Sequence, residues 1–310
     1  TTLLGVTKPV DRDEIRAASG RIADLIRRTP CVDLGFAASN EFRLFVKLET
    51  LQPTGAFKVR GASNAILNVD TSSGVVAASG GNFGMAVAYA AHALDVSATV
   101  FVPETSPSEK VGQIERFGAN LKIVDGYYPE ALAASVEHAR ETGGALLHAY
   151  DSPHVVGGQG TIRLGIQEDV PDAGLVVCAV GGGGLIGGIA AWFRSSVPTV
   201  GVESELCPTL HSARSAGHPV DVEVGGIAAS ALGAGRVGEH PWASNQWITD
   251  SLLVTDEMLL SARDWLWGEA RIMAEPAAVA PIAALREGLL DQPAGSVVAV
   301  VSGANGGRGC

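Results

Sequence analysis

The stretch VVCAVGGGGLIGGIAAWF (176–193) passes from an uninterrupted apolar segment through four consecutive glycines into an alanine-rich apolar segment. Its first part, rich in β-branched valine, has the length of a strand buried on both faces. Its last part has the length of a helix. Successive glycines let backbone N–H groups converge on one point, and a helix N-terminus adds a positive field there. A ligand-free turn would not require such costly backbone freedom. The pattern therefore predicts an α/β fold that binds an anion at the end of an interior strand. A dinucleotide fingerprint fits poorly, because residue 186 is Ile and only Glu203 stands near the expected acidic position.

The same alternation continues in both directions. Strands are expected at LFVKLE (44–49), VVAA (75–78), ATVFVP (98–103), LKIV (121–124), LVVCAV (175–180), TVGVE (199–203) and SVVAVVS (296–302). Helix-length segments lie between them at 82–94, 107–118, 129–141 and 185–196. This order reads as an open, doubly wound α/β architecture of two lobes with a ligand between them. The expected division is a small domain over 46–147 and a large one formed by 1–45 and 148–310.

Composition narrows the function classes. The chain has 310 residues, 46% hydrophobic and 18% charged, with a net charge of −11 that gives nucleic acid no reason to bind. Its cysteines, Cys31, Cys178, Cys207 and Cys310, show no paired spacing, so reduced thiols in a cytoplasmic protein are expected. The opening TTLLGVTKPVDRDEIR has no apolar leader, and no apolar run approaches the length of a membrane span. The seven histidines form no metal-ligand spacing, and no G-x-S-x-G elbow occurs.

Three further segments carry chemistry. In KLETLQPTGAFKVRGA (47–62), Lys58 falls where a glycine-containing loop becomes a helix. The positive end of the helix dipole lowers the pKa of an amine there and favours the neutral, nucleophilic form. In ASGGNFGMAVAYAA (78–91), a strand again turns through glycine into a helix, and SVVAVVSGANGGRGC (296–310) ends a strand at Ser302.

Taken together, these segments resemble the serine/threonine dehydratases, a group that includes threonine ammonia-lyases and serine racemases. The group has the tryptophan-synthase-β-like fold of the type II pyridoxal-phosphate enzymes. Its lysine segment reads Ser-Phe-Lys-x-Arg-Gly-Ala; Ala56 departs from it, and Val59 replaces the aspartate of sister families. RRTPCVDL (27–34), PSEKVGQIERFGANLKIVDG (107–126), HVVGGQGTI (154–162) and EPAAVAP (275–281) extend the match.

The resemblance implies that Lys58, beside Phe57, carries pyridoxal 5′-phosphate as a Schiff base. Gly181, Gly182, Gly183, Gly184 and the amide of Leu185 cradle its phosphate. Asn82 meets the ring 3′-oxygen, and Ser302 the pyridine nitrogen. Ser79, Gly80, Gly81 and Asn82 hold the substrate carboxylate, with Phe83 where the group has histidine. VGGIAASALG (224–233) lines the ring through Gly225 and Gly226, and Glu275 stands at the active-site entrance. Glu203 matches one ligand of a cation segment whose second ligand is here Thr209, so a monovalent or divalent cation is a secondary expectation.

The implied reaction converts a β-hydroxy amino acid such as L-serine or L-threonine to a 2-oxo acid and ammonia. Amino-acid racemisation is the alternative within the group. It needs an acid on the face opposite Lys58, where racemases have a second serine and this chain has Gly80. A non-catalytic nucleotide- or ligand-binding module is the alternative outside the group, and it leaves Lys58 without a role. The resemblance also implies a homodimer. The regulatory domain of biosynthetic dehydratases is not expected after SGANGG.

Overall fold

Ten strands arrange themselves in two sheets in the computed structural model, which describes residues 7–36, 42–290 and 295–306. They are β1 (Cys31–Phe36), β2 (Arg43–Leu48), β3 (Val75–Ala78), β4 (Ala98–Pro103), β5 (Asn120–Val124), β6 (Ala145–Leu147), β7 (Ala173–Ala179), β8 (Thr199–Ser204), β9 (Asp250–Val254) and β10 (Ser296–Val301). The larger sheet runs β1-β2-β10-β7-β8-β9 and the smaller β5-β4-β3-β6. Among the described strands only β1 pairs antiparallel, on β2.

Side-chain alternation explains the continuous apolar runs. In β10, Val297, Ala299 and Val301 enter one core while Val298 and Val300 enter the core on the opposite face. β7 divides likewise, with Val177 and Ala179 on one side and Val176 and Cys178 on the other. The first core is closed by helices Asp256–Ala270 and Ala280–Arg286, the second chiefly by Gly184–Phe193, with Leu210 and Ala213 of helix Thr209–Ala216 beside it. Both faces of an interior parallel strand must be apolar, so alternation is absent from its sequence.

Two findings correct the strand pattern read from the sequence. Cutting the chain at residue 46 would split β2, whose pairing with β1 and β10 keeps it whole in the larger sheet. The apolar pattern also misses β1, β6 and β9. β1 bears Asp33 and a left-handed Gly35, β6 has three residues, and β9 is an edge strand beginning Asp250-Ser251. Edge strands bury less and need no continuous apolar run.

The two sheets meet through the segment around Lys58. Phe57 N–H donates to Ser302 O at 3.0 Å and Ala304 N–H to Gly55 O at 2.9 Å. These bonds set the start of helix Lys58–Ile66 against the end of β10. Two residues into that helix, Arg60 grips the buried Glu49 carboxylate at 2.7 and 2.8 Å. Cys31, Cys178 and Cys207 are free thiols, and Cys310 lies outside the described residues. No helix among the described residues is long and apolar enough to cross a membrane.

Candidate active site

The glycine run lies where the sequence pattern places it, between β7 and helix Gly184–Phe193. Gly183 has φ +86°, a conformation that side chains disfavour, and caps the helix without any side-chain bond. The first-turn N–H groups therefore remain available to an anion. Protein crowding, and not the anion alone, demands glycine here. A Cβ on Gly181 would lie 2.9 Å from Leu232 Cα, one on Gly183 2.8 Å from Val237, and one on Gly182 would collide with the Tyr150 ring.

Phe57, Lys58, Asn82, Gly181, Gly182, Gly183, Gly184, Leu185 and Ser302 all line one cavity of about 40 Å³, together with Tyr150 and Glu275. An attachment amine, an anion cradle and neutral polar groups for a ring's nitrogen and oxygen thus face one space, a set that fits pyridoxal phosphate. The Lys58 amine donates to Ala149 O at 3.1 Å and lies 5.2 Å from the Phe57 ring centre. Burial lowers its pKa to about 8, against the opposing pull of Glu275. Desolvation is the largest cause of that lowering.

Glu275 is not at an exposed entrance. It is 3% exposed and accepts from Asn82 Nδ2 at 2.6 Å, while Asn305 Nδ2 donates to Asn82 Oδ1 at 2.9 Å. Burial pushes its carboxyl up, with Lys110 the largest opposing influence. Its neighbour before the next helix, Pro276, gives no hint of this burial in the sequence. The ring-side loop also differs from expectation. Ala231 and Leu232 reach the cavity, whereas Gly225 binds Leu206 O and Gly226 packs beside Asp256.

A wider space of about 450 Å³ adjoins the first and shares Lys58, Asn82, Tyr150 and Gly182 with it. Ser79, Gly80, Gly81 and Asn82 form one of its walls. Ser106 and Lys110, which the sequence reading does not single out, also line it. A Cβ on Gly80 would collide with Ser106 Oγ. Gly80 therefore does not leave a wall devoid of protic groups, because a hydroxyl from the neighbouring loop fills its side-chain space. The argument from Gly80 against racemisation loses its basis. A Gly80→Ser substitution would crowd this wall instead of simply adding an acid to it.

Glu203 is occupied by protein donors. Its Oε1 accepts from Leu210 N at 2.8 Å and lies 3.0 Å from the Thr209 hydroxyl, and its Oε2 accepts from His211 N and Ser251 Oγ, both at 2.7 Å. Burial raises its pKa against these hydrogen bonds. Among the described residues no group of three or more His, Cys, Asp and Glu is placed to hold a metal. Glu203 instead anchors the first turn of helix Thr209–Ala216, and Thr209 Oγ1 also lies 2.5 Å from Gly181 O. That contact ties the helix to the glycine loop.

Crowding at Gly182 has a measurable consequence. Gly182→Ala should destabilise the apoprotein by about 1–3 kcal/mol, as overpacked sites do. Adding Tyr150→Ala should recover part of that loss in urea unfolding, since the two sites share one space. An unchanged midpoint for the single variant would contradict this packing.

Comparison with known proteins identifies the family. Residues 22–303 match the family model described as pyridoxal-phosphate dependent enzyme. The L-threonine ammonia-lyase of Geobacter sulfurreducens is 34% identical over 299 residues, covering 94% of this chain and 74% of that protein. The catabolic L-threonine dehydratase of Staphylococcus aureus is 33% identical over 321 residues, covering 98% and 92%. The structure of maize serine racemase superposes with a TM-score of 0.90 at 28% identity, covering 98% of this chain and 95% of the other. The chain belongs to the pyridoxal-phosphate-dependent enzymes of fold type II, within the serine/threonine dehydratase family.

Proposed function

We propose that this protein converts L-threonine or L-serine to the corresponding 2-oxo acid and ammonia. The convergence of Lys58, the glycine loop, Asn82 and Ser302 on one cavity carries the reading. Relatives at about one-third identity whose names specify threonine deamination support it. The water lost in elimination is regained on hydrolysis, so ammonia is the net departure.

When bound, pyridoxal phosphate withdraws electrons from the substrate Cα and makes its proton removable. Residues of the chain perform the remaining tasks. N–H groups from Gly181 to Leu185 would hold the phosphate, and the Ser302 hydroxyl would serve the ring nitrogen. As a neutral group, Ser302 does not hold that nitrogen protonated as a carboxylate would, which suits elimination. Asn82, fixed by Glu275 and Asn305, would meet the ring oxygen. Lys58 would hold the cofactor through its amine and would serve as the base for the Cα proton, its lowered pKa keeping it within reach of the neutral form. The Ser79–Asn82 wall holds the substrate carboxylate. Racemisation remains the second reading, favoured by the Ser106 hydroxyl in the Gly80 wall and the serine racemase likeness. A homodimer in the cytoplasm completes the proposal, on family resemblance and free thiols.

Incubation of the holoenzyme with L-serine and L-threonine should yield 2-oxo acid faster than the opposite α-epimer. A 2-oxo acid assay beside chiral chromatography reads both, and faster epimer formation would make racemisation the main activity.

The amine predicts a pH dependence for reconstitution. Only neutral Lys58 attacks the cofactor aldehyde, so recombination of apoprotein with pyridoxal phosphate should accelerate as pH rises through about 8 and then level off. Acceleration continuing to the ordinary lysine value of 10.5 would contradict a desolvated amine.

A further inference from the structure

Two groups in the wide cavity have no part in the elimination described so far. Lys110 is 5% exposed, and its Nζ has no hydrogen-bond partner among the described residues. Its nearest opposite charge is Glu275 Oε2 at 3.7 Å, which is beyond a hydrogen bond and itself lacks a donor. Glu275 balances the charge of this ammonium, but its N–H groups still lack an acceptor, a cost that an oxygen acceptor arriving in the cavity would relieve. Ser106 Oγ stands in the space that a residue-80 side chain would fill, four residues before Lys110 on the same loop-to-helix turn.

The surroundings favour an anion. Helix Asn82–Ala93 and helix Ser108–Arg116 both begin at this wall, and neither has a side-chain bond capping its first turn. Their positive ends therefore face the same cavity as Lys110. With Lys58 taken up by the cofactor, Lys110 is the charged side chain left in the wide cavity, whose lining includes no acid among the described residues. Glu109 in the first turn of the second helix is exposed and outside the cavity lining.

We propose that Ser106 and Lys110 form the second half of the substrate-carboxylate seat, with Ser106 supplying the hydroxyl that residue 80 lacks. The first half is the Ser79–Asn82 loop. Gly80 and Ser106 are then a coupled pair: glycine leaves the space, and serine fills it from the adjacent loop. Lys110 gives the seat its charge and selects an α-carboxylate over a neutral amide. This inference rests on the amino-acid substrate proposed above.

The test compares L-serine with L-serinamide, which differ only in the carboxylate, by titrating the cofactor absorbance of the holoenzyme. Lys110→Gln and Ser106→Ala should each weaken L-serine binding by about tenfold, the worth of a hydrogen bond to a charged group. L-serinamide binding should stay within about twofold, a difference that general structural damage would not produce. Gly80→Ser should weaken L-serine binding through its collision with Ser106, and Gly80→Ser with Ser106→Ala should restore it. Equal weakening of both ligands, unchanged L-serine binding in either single variant, or no restoration in the double variant would each overturn the proposal. If the unaltered holoenzyme forms no 2-oxo acid yet prefers L-serine through Lys110, the lyase reading fails while the carboxylate seat stands.

Discussion

The site depends on a backbone clasp between two segments far apart in the chain, Gly55–Phe57 and Ser302–Ala304. Phe57 N–H reaches Ser302 O, Ala304 N–H reaches Gly55 O, and Ala56 bridges Gly303 between them. One strand of the clasp leads directly into the helix that Lys58 begins; the other is the end of β10 in the middle of the larger sheet. The clasp thus fixes Lys58 relative to Ser302 without any side chain from either residue. Arg60 on Glu49 reinforces the arrangement by tying the same helix to the chain just after β2. Paired and nearly solvent-free, these charges define a single position for the helix, because separating them would strand a buried ion.

Crowding is the second constraint on the cleft. The four glycines admit an anion, but they also admit Leu232, Tyr150, Val237 and Pro241, which press against the loop from the protein side. A loop packed this closely has its ordering cost met during folding, before any ligand arrives. The same economy governs the opposite wall, where Gly80 and Ser106 share one side-chain volume. A glycine in such a site is understood only together with the residue that fills its space.

Much of this arrangement was legible in the sequence because it is local. An apolar run entering four glycines and then a helix points to an anion site within one short segment, and Lys58 stands at a helix start, whereas the roles expected of Asn82 and Ser302 came from resemblance to a family's motifs. What escaped reading depends on contacts between distant segments. Glu275 looks like a surface acid before proline, and only the approach of Asn82 and Lys110 makes it a buried one. Ser106 matters because β3 and β4 are neighbours that bring its turn beside Gly80. Glu203 matched a ligand position, yet its strand-end neighbours Thr209, Leu210, His211 and Ser251 satisfy it internally. The edge strands β1 and β9 escaped for a related reason, since half-solvated strands carry polar residues that a search for apolar runs passes over.

The central claim is that Lys58 is the point of cofactor attachment, with the cleft assembled around it. Borohydride reduction of the holoenzyme followed by peptide mapping tests this directly. The account predicts that the reduced cofactor is found on the peptide containing GAFKVRGASNAI (55–66), at Lys58. Its recovery on Lys110, Lys47 or any other lysine would contradict the account.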